Sequence, residues 1–162
     1  MTSLRHLATR ASTAIHLPAF MQCWLVPCWC LLGLSRLLLW AVPFARLKRH
    51  LGKSGGEAPW VPLASNKQLH RALQIGRTIR LAARYTPWES ACLPQAMAAR
   101  WLLGLHRVPY GLYLGWRRGA ALPGDAPAHA WVAVGRVNVT GGVGFDRYAV
   151  MGTFVAPRLV DE

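Results

Sequence analysis

Pro94 fixes where a helix can begin, because a proline has no amide hydrogen and fits an α-helix only in its first turn. Around it, Ser90-Ala91-Cys92-Leu93-Pro94-Gln95 offers Ser90 as an N-cap, and Leu93, Ala96, Met97 and Trp101 then recur at helical spacing. A helix starting here carries Cys92 in its first turn. Unpaired N–H groups and the positive end of the helix macrodipole favour a thiolate at such a place and lower its pKa from about 8.5. The same N–H groups could serve an oxyanion. A lone cysteine is more often a small buried apolar side chain, so the case for a nucleophile depends on what the rest of the chain brings to it.

What it brings is His129. In Ala128-His129-Ala130-Trp131-Val132-Ala133-Val134 the alternation of Ala128, Ala130, Val132 and Val134 reads as a strand, with His129, Trp131 and Ala133 on the other face. A thiolate on a helix and an imidazole on the sheet beneath it, with a third group holding the ring, is the pairing that papain-like and transglutaminase-like sites need.

Three runs together carry a family resemblance: Tyr85-Thr86-Pro87-Trp88-Glu89-Ser90-Ala91-Cys92-Leu93-Pro94-Gln95-Ala96, Leu112-Tyr113-Leu114-Gly115, and Ala128-His129-Ala130-Trp131-Val132. With the front segment Leu37-Leu38-Leu39, Pro43-Phe44-Ala45-Arg46-Leu47 and Leu51-Gly52, the chain resembles the peptidase half of the B-protein of lasso-peptide biosynthesis over nearly its whole length. That resemblance implies a transglutaminase-fold cysteine protease that removes the leader from a ribosomal precursor peptide.

The bulk of the chain bounds the rest. Its 162 residues fit one domain, and 53% hydrophobic content is ample for a core. A net charge of +13 with six acidic residues suits an acidic peptide, a membrane surface or nucleic acid. Nucleic acid finds no support, since no zinc-finger spacing or RNP-like strand is present and the arginines are spread along the chain.

Leu17 to Ser35 holds no charged side chain and is about the length of ~20 residues that a bilayer span requires, with Arg5, Arg10 and Arg36 flanking it. Pro18 and Pro27 interrupt it, and Arg36 divides it from a second apolar run, Leu37 to Ala45, that leads into Arg46, Lys48 and Arg49. A broken amphipathic helical arm is expected, packing on the catalytic domain or a partner in preference to a membrane. With no small-residue cleavage site after the apolar stretch, a secretory signal is not expected, and the reading is cytoplasmic with membrane association as the alternative. Cys23, Cys28 and Cys30 match no zinc-ligand spacing, and His6, His16, His50, His70 and His106 lack the pairing of metal ligands, so neither metal nor disulfide is expected. No cofactor is expected either. Gly141-Gly142-Val143-Gly144 runs towards a strand, not into a helix, and so is no phosphate loop.

The expected organisation is an apolar, basic helical arm over 1–51, a linker over 52–64 and a catalytic core over 65–162. Ser65 and Gln68 form a capping box, and the helix they open buries Leu69, Ala72, Leu73, Gly76, Ile79 and Ala83, with His70, Arg77, Arg80 and Arg84 as a solvated basic flank. Gly104 would end the Cys92 helix as its C′ residue. Strands follow over Tyr110–Trp116, Ala128–Val134, Val137–Thr140 and Tyr148–Val155, with Arg117 to Pro127 as a loop and Gly135-Arg136 as a tight turn. Helices first and an antiparallel sheet after make an α+β fold: a transglutaminase/papain-like cysteine protease core with an apolar helical N-terminal arm.

The relatives commonly complete a triad with an Asp on the strand after the histidine. Here a two-residue turn pairs Val134 with Val137 and sets Trp131 opposite Thr140 and His129 opposite Gly142, so Asn138 and Thr140 face the histidine and neither is acidic. Asp146 ranks first by chemistry and Asn138 second, and a bulge at the double glycine would reorder them. The chain thus reads as a cysteine peptidase acting through Cys92, His129 and Asp146. By resemblance, its partners are the lasso precursor as substrate, a separate leader-binding protein and an ATP-dependent lasso cyclase. A non-catalytic basic membrane-associated adaptor, and an acyl transferase using the same Cys-His pair, are the alternatives.

Overall fold

The computed structural model describes residues 17–57, 61–119, 126–142 and 144–156. Parts of the arm (1–16), the linker (58–60) and the loop after β2 (120–125), together with Val143 and 157–162, lie outside the described residues. The order is α1 (Ala19–Ala41), α2 (Phe44–Leu47), a 3₁₀ turn (Lys48–His50), β1 (Lys53–Ser54), α3 (Asn66–Ala83), α4 (Cys92–Leu105), β2 (Gly111–Arg117), β3 (Ala128–Val134), β4 (Val137–Thr140), α5 (Gly144–Arg147) and β5 (Tyr148–Val155). The strands form one antiparallel sheet in the order β1-β5-β2-β3-β4. This is the α+β arrangement expected.

The helices pack on one another and on the sheet through a single core of Cys28, Leu32, Ile75, Ile79, Met97, Leu102, Leu112, Val132 and Val139. Tyr113, Trp131, Ala133 and Tyr148 make a second, smaller cluster. By strand alternation, Tyr113, Trp131 and Ala133 share the sheet face opposite the helices.

α1 differs from the expected broken arm. It runs unbroken for 23 residues with Pro27 inside it, and Pro18 sits at its N-cap. An interior proline costs a helix about 3 kcal/mol; burial of Cys28, Leu32 and Ser35 against the core offsets that here. The stretch read as a linker also does more than connect, because Lys53 and Ser54 pair with Val155 and Phe154 at the sheet edge.

α3 begins with the expected capping box: Gln68 N–H donates to Ser65 Oγ and Ser65 N–H to Gln68 Oε1. Its buried face is Ala72, Ile75, Gly76, Thr78, Ile79 and Ala82, rotated from the expected one so that Leu73 is exposed. Gly76 lies so close to β4 that a Cβ there would strike the Val139 carbonyl oxygen. Arg80, assigned by sequence to a solvated flank, donates from Nη1 to that same oxygen at 2.8 Å and ties helix to sheet.

α4 continues through Gly104 to Leu105, and the left-handed C′ position falls on Arg107, φ 56°. The closing bond from Val108 N–H to the Leu103 carbonyl, 2.9 Å, is a Schellman contact that holds Arg107 there. A side chain in this conformation costs about 1–2 kcal/mol that glycine avoids. Arg107→Gly should therefore raise the melting temperature by about 2–4 °C, a shift that differential scanning calorimetry would register.

Candidate active site

Cys92 is the first residue of α4, with Ala91 at the N-cap. Ser90, the expected cap, is turned away: its hydroxyl is hydrogen-bonded to Thr86 Oγ1 at 2.9 Å, within a turn where Thr86 Oγ1 also bonds the Ala83 and Trp88 carbonyls. Gln95 Nε2 donates to the Ser90 carbonyl at 2.7 Å and braces the turn from inside the helix. No side chain caps α4. Pro94, third in the helix, has no N–H to cap, and the Leu93 N–H points to the Cys92 sulfur instead.

The sulfur is hydrogen-bonded to His129 and accepts from the backbone N–H groups of Ala130 and Leu93. Burial pushes the thiol pKa up from 9.0, but the His129 bond, the Ala130 N–H, the His129 charge and the Leu93 N–H together outweigh it, and the net shift is downward. His129 moves the opposite way. Its bond to Cys92 raises its pKa from 6.5 against the effect of burial, and the Gly141 carbonyl and the Cys92 charge add to the rise. Each shift favours a thiolate–imidazolium pair.

His129 lies at the start of β3, opposite Gly115 of β2. Its ring stacks on Tyr148 at 4.7 Å and on Trp131 at 6.0 Å. Gly115 makes this possible: a Cβ there would sit 2.8 Å from the Trp131 ring, so only glycine leaves the indole its place. Nε2 of His129 is 2.7 Å from the Gly141 carbonyl oxygen. A carbonyl only accepts, so Nε2 carries a hydrogen and Nδ1 is the nitrogen left for Cys92.

Gly141 reaches the ring because β4 does not hold the expected register. Val134 pairs with Val137 and Ala133 with Asn138, but Thr140 pairs with Val132, one step from the expected Trp131. The extra residue lies between Asn138 and Thr140, ahead of the double glycine. Asn138 is exposed opposite Ala133, and Thr140 is buried. Asp146 is exposed on α5 and, among the described residues, makes no hydrogen bond or ion pair. The structure thus brings Cys92 and His129 together and puts a backbone carbonyl at the ring's far nitrogen. No group of three or more metal-ligating side chains occurs among the described residues.

Sequence reasoning missed Gly141, Gly115 and Tyr148. Gly141 has φ +80°, and a Cβ on it would fall 2.5 Å from the Ala130 carbonyl and 2.6 Å from Trp131 Cβ. A double glycine after a strand beside a histidine strand was the signal available; side-chain inventories do not register a carbonyl.

Residues 36–153 match the family model of the transglutaminase-like superfamily. Neither a curated protein nor a solved structure gives a significant match to the chain.

The opposed shifts set a pH dependence. Stability from ionised Cys92 is lost as pH falls through its lowered folded pKa, and that from protonated His129 is lost as pH rises through its raised one. Iodoacetamide should accordingly alkylate Cys92 at pH 7 much faster than buried Cys28, whose thiol is pushed up to about 12. His129→Ala should slow labelling of Cys92 by about tenfold for each unit its pKa climbs, as peptide mapping of the labelled chain would show. Labelling in Gly141→Ala should fall at least about tenfold, because the carbonyl cannot stay where a Cβ must go. Asp146→Ala and Asn138→Ala should leave it within about twofold, since both side chains are exposed.

Proposed function

This chain belongs to the transglutaminase-like superfamily, and from that premise we propose that it is a cysteine peptidase that removes the leader from a ribosomally made lasso precursor. The superfamily includes cysteine peptidases and acyltransferases. The observation that carries the reading is Cys92 in the uncapped first turn of α4, hydrogen-bonded to His129. An adaptor would have no use for a partly buried thiol whose pKa is driven down by three separate donors.

In the proposed reaction, His129 holds the Cys92 proton on Nδ1 and the thiolate attacks the scissile carbonyl. The backbone N–H of Cys92 receives the oxyanion, since the Leu93 N–H is directed at the sulfur and Pro94 has none. Collapse of the tetrahedral intermediate breaks the C–N bond, and the His129 proton passes to the departing amine. Water, deprotonated by the same imidazole, then releases the acyl group from sulfur. Gly141 takes the ring-orienting part that Asp146 or Asn138 was expected to play. An amine in place of water would make the same site an acyl transferase, a difference that only the product reveals.

The lasso substrate is supported by the resemblance of the Tyr85–Ala96, Leu112–Gly115 and Ala128–Val132 runs. On this reading, the precursor arrives bound to a separate leader-binding protein, and an ATP-dependent cyclase takes the cleaved product. Docking through a partner makes attack effectively intramolecular, with local substrate near ~mM for a short tether.

The test is a cleavage time course with purified chain and synthetic precursor, with and without the leader-binding protein. Cleavage should be slow for the chain alone and accelerated by the partner, and Cys92→Ala should abolish it while leaving the circular dichroism spectrum unchanged. Near wild-type cleavage by Cys92→Ala overturns the assignment. Equal rates with and without the partner would instead give the chain its own recognition surface, for which the exposed His70, Arg77 and Arg84 of α3 are the candidates.

A further inference from the structure

The first 56 residues contain no aspartate or glutamate, yet carry Arg5, Arg10, Arg36, Arg46, Lys48, Arg49 and Lys53. Within that stretch, α1 buries one side and leaves most of the other exposed, with Trp88 covering it at Gly33. Cys28, Leu32 and Ser35 are fully buried towards α3 and α4, while Val26, Cys30, Leu37 and Trp40 recur at helical spacing on the open side. Trp40 is 84% exposed and Val26 69%. α1 is also, among the described residues, the one helix long and apolar enough to cross a membrane. A helix apolar on all sides belongs in a core or against lipid, and only half of this one is in a core.

The apolar surface extends sideways over a groove of about 610 Å³ between α1 and α4, lined by Trp24, Leu31, Leu34, Trp101 and Leu105. At the C-terminal end of α1 come Arg46, Lys48, Arg49 and His50, all exposed. Exposed Phe44 stands just ahead of them. The pattern is an exposed apolar face, an aromatic side chain at its end and a cluster of cations directly behind it.

We propose that the outer face of α1 docks on an anionic lipid bilayer, with the helix lying in the plane of the interface. Val26, Cys30, Leu37 and Trp40 enter the acyl boundary and Arg46, Lys48 and Arg49 meet the lipid phosphates. Charge complementarity selects this occupant: a second copy would bring together two chains of net charge +13. A helix lying in the interface, in preference to one that spans, keeps the contacts that α1 makes with the turn before Cys92. Trp29 Nε1 donates to the Tyr85 carbonyl at 3.2 Å, and the Trp29 ring lies 4.6 Å from that of Trp88, so α1 cannot leave the body without releasing the turn before Cys92. Arg36, bridged to Glu89 at 3.8 Å, marks the flank where the apolar face ends.

The experiment is flotation of the full chain with vesicles of phosphatidylcholine alone or with phosphatidylglycerol added, with light scattering of the lipid-free chain alongside. The chain should rise with the anionic vesicles and bind neutral ones at least about tenfold more weakly. Val26→Ser/Leu37→Ser/Trp40→Ser should lose at least about tenfold in binding to the anionic vesicles, and so should Arg46→Gln/Lys48→Gln/Arg49→Gln, which leaves the apolar face untouched and guards against misfolding of the first variant. Each variant should keep the wild-type Cys92 labelling rate. A wild-type chain that stays at the bottom of the gradient with anionic vesicles overturns the proposal. So does a lipid-free dimer that the apolar variant dissolves, or flotation indifferent to both lipid charge and the charge variant.

Discussion

The close approach of Gly141 to β3 is the contact on which the site depends. β4 leaves its partner after Thr140, and the chain turns with φ +80° at Gly141, pressed against Ala130 and Trp131. Only a residue without a Cβ can lie that close, and only there does the carbonyl meet His129 Nε2 at 2.7 Å. The bond fixes both the tautomer and the tilt of the imidazole. Ala130, the residue Gly141 presses on, also turns its N–H to the Cys92 sulfur, so one short stretch of β3 serves both halves of the pair.

From the other side the site is held by α1. The turn 85–91 that delivers Cys92 would be an exposed loop without it: Trp88 packs where Gly33 leaves room, and Trp29 takes the Tyr85 carbonyl. Inside the turn, Thr86 and Ser90 bond each other, which withdraws the natural cap of α4 and leaves the Leu93 N–H to the sulfur. A proline at the third helical position removes another donor that would have needed a partner. Through Trp29 and Gly33 the N-terminal helix therefore helps to hold the turn that carries Cys92, whatever its outer face meets.

Where sequence carried the answer, the signal was local. The Ser65–Gln68 capping box, the Gly135-Arg136 turn and the limits of β3, β4 and β5 depend on neighbours a few residues apart, and they are as read. The pairing of Cys92 with His129 was legible because helix and strand periodicities each place one side chain on a definite face. What escaped was set by tertiary contact. Pro27 was taken to break a helix that burial holds together, and Ser90 was taken as a cap although Thr86 claims its hydroxyl. The bulge before Thr140 shifts the register by one residue, and no local code announces it. The partner of the histidine ring was sought among side chains, and it is a backbone carbonyl.

That substitution changes the electrostatics of the pair. A carboxylate beside an imidazolium supplies a full negative charge, whereas a carbonyl supplies only a dipole and never ionises. The main cause of the raised His129 pKa is accordingly its bond to Cys92, with Gly141 contributing less. Burial works against ionisation of both groups, pushing the thiol up and the imidazole down. With either partner gone, the other loses its largest favourable contact while the burial remains, and it reverts towards the neutral form. Each of Cys92 and His129 thus draws its largest support for the charged form from the other, and the glycine carbonyl holds the geometry while contributing less to the charge.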